Sequence, residues 1–294
     1  MLNKFRRIFS GQPSEASSSA AADGADSGSE CDSLVTSGSG RGAESPENIL
    51  RGWSTLQLDG RRIEVFEPES SETILGVVLF LHGHGRVMLN ENPVFTQLFR
   101  QHHLAAVCPD GGQSWWLDLI SPDFSSEQTP QRWLLDRVIP VIQERYSVSH
   151  PQIALLGVSM GGQGVLQLAY RAASRFPVVA AISPVVDFYH LYGTGIPLDQ
   201  MFPDRETARQ ASVVLNLNPL SWPRHQFFCC DPNDIEWFDG CARLGMKLSS
   251  SGILHERDLD TVHGGHSWDY FNHMAEKAIG HISAGLKKIA NEVG

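Results

Sequence analysis

The chain has 294 residues, 33 acidic against 23 Lys and Arg, and a formal net charge of −10. That balance argues against a nucleic-acid partner, and no stretch approaches the roughly 20 apolar residues of a membrane span. Five cysteines, an odd number with Cys229 and Cys230 adjacent, do not look like a disulfide framework, and a cytoplasmic protein is expected.

Residues 1–48 are Ser, Ala and Gly with scattered acids after a short basic start. They carry too few large apolar groups to offset the entropy of folding, so a disordered tail is expected. The opening MLNKFRRIFSG has positive charge but no following apolar run of signal-peptide length. Residues 49–294 suit one α/β domain with a single sizeable core.

RRIEVFEP alternates polar and apolar residues like a half-exposed strand. ILGVVLFLHGHG and LAAVCPDGG are apolar runs ended by glycines, the pattern of strands buried on both faces of a parallel sheet. Thr129 and Pro130 start a helix through about Tyr146, with Trp133, Leu134, Val138, Val141 and Ile142 on one side and a kink at Pro140. QIALLGVS is the next buried strand, followed by a helix whose inner face is Val165, Leu168, Ala169 and Ala172. VVAAISPV and HQFFCCD are further strands, and HERDLDTVHGGH holds a last one near the sheet edge. Phe271, Met274, Ala278, Ile282, Leu286 and Ile289 mark a C-terminal helix. Alternating strands and helices imply a mostly parallel central sheet with helices on both faces. Residues 188–222 fit neither period and are expected to form an excursion over the sheet.

Ligands bind such sheets beyond the carboxyl ends of the strands. His82 to Gly85, Ser159, and Asp231 or Asp234 fall at these ends, and His266 follows the last strand. Ser159 sits in ALLGVSMGGQG, where a strand hands over to a helix. Serine, acid and histidine come in the chain order of α/β-hydrolase triads. A serine hydroxyl needs a base to take its proton, which His266 can do, and an acid on the other ring nitrogen holds the tautomer. Gly157 and Gly161 leave room for the strained turn. Backbone N–H groups of Met160 and His84 are the expected oxyanion donors. Trp115 and Trp116 lie past a strand end, so at least one is expected to wall a substrate pocket. His82 and His84 with His263 and His266 would alternatively suit a metal-dependent hydrolase, but that leaves the Ser159 turn unexplained.

LHGHG, CPDGGQSWW, GVSMGGQG, DPNDIEWFDG and GGHSWDYF together resemble the esterase-D-type branch of the α/β-hydrolases. The resemblance spans residues 60 to 290. It implies the α/β-hydrolase fold and cleavage of small-molecule carboxylic esters, with Ser159 as nucleophile, His266 as base and Asp234 as acid; Asp231 remains the rival acid. The loop with Trp115 and Trp116 contributes to the substrate site in this family, and no metal or organic cofactor is implied. Val158 departs from the pattern, since many relatives carry a polar or aromatic residue there. An acyltransferase on the same triad and a non-catalytic hydrolase-fold binding protein are the alternative readings.

Overall fold

The computed structural model describes residues 49–69 and 73–293, so the tail expected at 1–48 lies outside the described residues. The strands are β1 (Trp53–Leu58), β2 (Arg61–Phe66), β3 (Gly76–Leu81), β4 (Leu104–Pro109), β5 (Ile153–Val158), β6 (Val178–Ile182), β7 (His225–Cys229) and β8 (Glu256–Asp258). They form one sheet in the order β1-β2-β4-β3-β5-β6-β7-β8. β2 pairs antiparallel with both β1 and β4 at one edge, and the remaining five pairings are parallel. This is the mostly parallel sheet that the periodicity implied and the α/β-hydrolase arrangement that the resemblance implied.

The apolar runs became central strands because both of their faces are covered. Along β3, Val77, Leu79 and Leu81 enter one core cluster, and Val78 and Phe80 enter the other, as the period of two in a strand requires. Helix α1 (Pro93–Gln101) and the long α6 (Trp268–Val293) cover the second cluster. The first is covered by α2 (residues 130–146), α3 (Met160–Arg171) and α5 (Phe238–Ser250). The excursion over 188–222 is not irregular throughout: it holds the short α4 (Arg205–Gln210) and two single 3₁₀ turns.

Two local expectations changed form. The break anticipated at Pro140 is a π turn over Leu134–Val138, just before it, where the Ile139 N–H bonds to Leu134 O. Proline has no N–H of its own, and a wider turn beforehand absorbs the mismatch. Helix α3 buries Met160 through Tyr170 on all sides rather than along one face, because it lies between the sheet and the excursion.

Register brings the chemistry together. Leu81 pairs with Gly157, Val158 with Ile182, Ile182 with Cys229, and Cys229 with Asp258. The carboxyl ends of β3, β5, β6, β7 and β8 therefore stop at one level. The segments that follow them, with His82, Ser159, Asp231, Asp234 and His266, meet above that rim.

Candidate active site

Ser159 stands between β5 and α3 with φ 55° and ψ −119°, a region that a non-glycine residue enters only under constraint. Its N–H bonds to Ile182 O at 3.0 Å, while its carbonyl accepts from Gln163 N and Val185 N at 3.1 and 3.2 Å. The neighbouring glycines make the bend possible. A Cβ on Gly157 would collide with the Gly161 carbonyl, and one on Gly161 with the carbonyls of Leu81 and His82. The turn leaves the hydroxyl at the amino end of α3, where Met160 N–H has no acceptor within the helix.

The imidazole of His266 lies between Ser159 and Asp234. Its Nε2 is 2.8 Å from Ser159 Oγ, and its Nδ1 is 2.7 Å from Asp234 Oδ2. A carboxylate only accepts, so the Nδ1–H donates to Asp234 and the Nε2 lone pair faces the serine. Ser159 is 4% exposed and the His266 side chain 11%, so the pair opens to solvent through a small window. Phe271 and Trp237 meet the ring edge-on at 5.4 and 6.3 Å between centroids. A crevice of about 270 Å3, lined by Asp187, His190, Ile235, Trp237, Asp239 and Arg243 among others, shares Trp237 with this group.

Asp231, the rival acid, is elsewhere in the network. Its Oδ2 accepts from His263 N at 2.6 Å and Gly265 N at 2.8 Å, and its Oδ1 from Asn233 N at 2.7 Å. Burial pushes its carboxyl up, but these three backbone donors outweigh that and hold it below the usual carboxylate range. Asp231 thus clamps the loop that carries His266. Sequence alone left the two acids unresolved because both sit in one turn beyond β7.

The segment after β3 faces Ser159 from the other side. A Cβ on Gly83 would lie 3.2 Å from Ser159 Cβ, so the backbone of His82 to Gly85 runs against the elbow. His84 is buried, and Gln113 Nε2 donates to its Nδ1 at 3.1 Å and to its carbonyl at 3.2 Å. Burial brings the His84 imidazole down to about 4. His82 accepts from Gly111 N at 3.1 Å through Nε2, which leaves its proton on Nδ1, 2.8 Å from Gly83 O. Among the described residues, no three His, Cys, Asp or Glu side chains are arranged to hold a metal ion, and the His263 ring is stacked on His273 at 4.1 Å.

Trp115 and Trp116 do not wall an open pocket. Both are fully buried with positive φ. Trp116 Nε1 donates to His82 O at 3.1 Å, and Trp115 O accepts from Gln163 Nε2 at 2.6 Å. The pair underlies the site and ties the loops beneath it. Their large apolar surfaces are covered by the nearby backbone at Gly111 and by His84, Phe188 and the backbone at Gly164, which are remote in sequence. Gln113 and Gln163, which hold these loops, carried no signal in the sequence that set them apart as anchors.

The family model described as "Putative esterase" matches residues 59–280. Solved structures with the same fold include a ferulic acid esterase (18% identity, TM-score 0.61, covering 79% of this chain and 97% of that one). The S-formylglutathione hydrolase FrmB of Staphylococcus aureus is another (15%, 0.60, 79% and 98%). So is the CE1 ferulic acid esterase AmCE1/Fae1A of the anaerobic fungus Anaeromyces mucronatus (18%, 0.58, 80% and 90%). No curated protein matches the chain. With the family model covering most of its length, the chain belongs to this esterase family of α/β-hydrolases and is a carboxylic ester hydrolase.

Proposed function

We propose that residues 49–294 act as a serine esterase domain working through an acyl-enzyme on Ser159. The observation that supports this reading is the unbroken hydrogen-bonded line from Asp234 Oδ2 through His266 to Ser159 Oγ, at 2.7 and 2.8 Å. Ser159 Oγ attacks the ester carbonyl carbon as its proton passes to His266 Nε2. Asp234 keeps the ring in the tautomer that can accept that proton and stabilises the imidazolium. The N–H groups of Met160 and His84 receive the oxyanion, and the imidazolium gives its proton to the leaving alkoxide. Water, deprotonated by the same imidazole, then releases the acid.

The substrate is a small ester reaching the site through the window above Ser159. The names of the structural relatives supply the first two candidates, a feruloyl ester and the thioester S-formylglutathione, whose leaving group is a thiolate. A cytoplasmic setting belongs to this reading and is supported by the four described cysteines, all unpaired and buried. The described helices include none long and apolar enough to cross a membrane.

A fluorophosphonate probe and a panel of p-nitrophenyl esters of increasing acyl length test the proposal. Labelling at Ser159 with turnover on the panel, both lost in Ser159→Ala, is the expected result. A folded protein with neither label nor turnover would point to a binding role instead. Added alcohols separate hydrolysis from acyl transfer by their products.

A further inference from the structure

Behind the proposed triad acid lies a pair of thiols with no part in the mechanism above. Cys230 follows β7 directly and is buried, with its Sγ 3.6 Å from Asp234 Oδ2. That is the same oxygen that takes the imidazole N–H. The other oxygen within reach of the thiol, Asp231 O, is farther at 3.9 Å. Cys241, on α5, is a hydrogen-bond neighbour of Cys230, and its own S–H is directed to Pro184 O at 3.3 Å. Of the acceptors around Cys230, the Cys241 sulfur and the two oxygens, the Asp234 carboxylate alone is charged and is the better partner for the proton of a weak donor. The neighbouring Cys241 thiol and burial both push the Cys230 thiol up, so it keeps its proton.

We infer that Cys230 is a positioning residue whose S–H holds the Asp234 carboxylate and draws charge from the oxygen that orients His266. The inference rests on the triad reading given above. Loss of the S–H leaves that oxygen more negative and strengthens its hold on the imidazolium. The base then releases its proton only at higher pH, and less of it is ready to act near neutrality.

The test is hydrolysis of p-nitrophenyl acetate by the full chain from about pH 5 to 9, for wild type, Cys230→Ala, Cys230→Ser and Cys241→Ala. In Cys230→Ala the acid limb moves up by about half a pH unit, so kcat well down that limb falls about threefold and at pH 7 by less than about twofold, with KM unchanged. Cys230→Ser keeps a donor and restores the wild-type limb. Cys241→Ala leaves the limb in place. A role in packing alone would lower the melting temperature of Cys230→Ala without moving the limb. A limb that stays put in folded Cys230→Ala, or moves equally in Cys230→Ser, overturns the inference.

Should Cys230→Ala fail to fold, the infrared S–H stretch carries the test, taken as the band that Cys230→Ser removes. That band lies at lower frequency in wild type than in Asp234→Asn; an identical band in the two overturns the inference. An inactive wild type unlabelled at Ser159 removes the triad reading and this inference together. An active wild type with an immobile limb in Cys230→Ala removes only the role of Cys230.

Discussion

Asp231 Oδ2 accepts the backbone N–H of Gly265 at 2.8 Å, one residue before the imidazole that Asp234 holds. Two acids three residues apart therefore separate anchoring from orientation, and substitution distinguishes them. Asp234→Asn lowers kcat on the order of 10,000-fold, because the amide favours the wrong tautomer, and leaves the melting temperature near wild type. Asp231→Ala strands three backbone N–H groups and costs about 3 kcal/mol or more of stability. Ester turnover read beside thermal melts checks both; the opposite pattern would exchange their roles.

The elbow admits no side chain at Gly161. Gly161→Ala places a Cβ against the carbonyls of Leu81 and His82, and backbone at a strand end cannot yield as a flexible side chain does. The variant is expected to lose more than about 4 kcal/mol, the range reserved for severe core damage. Recovery of folded, active Gly161→Ala would mean that β3 and the α3 start lie farther apart than described.

Beneath the site, Trp116→Phe removes the donor to His82 O. The expected outcome is a loss of about 1 to 3 kcal/mol, from the carbonyl left buried and unpaired. KM across an ester panel should stay near wild type, because the ring presents no accessible surface. A selective change in KM with acyl length would instead give Trp116 contact with the substrate.

Stability should fall in two stages on acidification. Burial holds the folded His84 imidazole at about 4, below the roughly 6.5 of an unfolded histidine. Between those values the unfolded chain binds more protons, so stability drops as the pH falls from about 6.5 towards 4. Asp258 supplies the second stage. Burial raises its carboxyl, but Lys277 at 2.6 Å and the Thr261 and Asp260 donors bring it to about 2. That contribution is complete above the unfolded value of about 4 and is lost as the pH falls through the folded one. Urea midpoints measured against pH should show both declines, and His84→Gln should flatten the first.

What the sequence made legible was decided by burial. β3 to β7 lie inside the sheet and read as apolar runs. β1, with Ser54, Thr55 and Gln57 exposed on an edge, offered no such run. Helix α5 was hidden by Gly240 and Gly245 within it, and Gly245 is there because Arg257 packs against that position. Helix α1 was not anticipated; its start is fixed by Asn92 Oδ1, which caps Val94 N and Phe95 N. The serine, acid and histidine could be nominated from their motifs. The division of labour between Asp231 and Asp234 could not, because it depends on a loop some 30 residues away.

That clamp between the β7 turn and the His263–Gly265 backbone fastens the acid and the base to one another before either meets the serine. Asp234 and His266 are thereby fixed to one another by contacts that do not involve Ser159. In the proposed mechanism the alignment of acid and base therefore does not rest on the nucleophile, and Ser159→Ala should leave it in place.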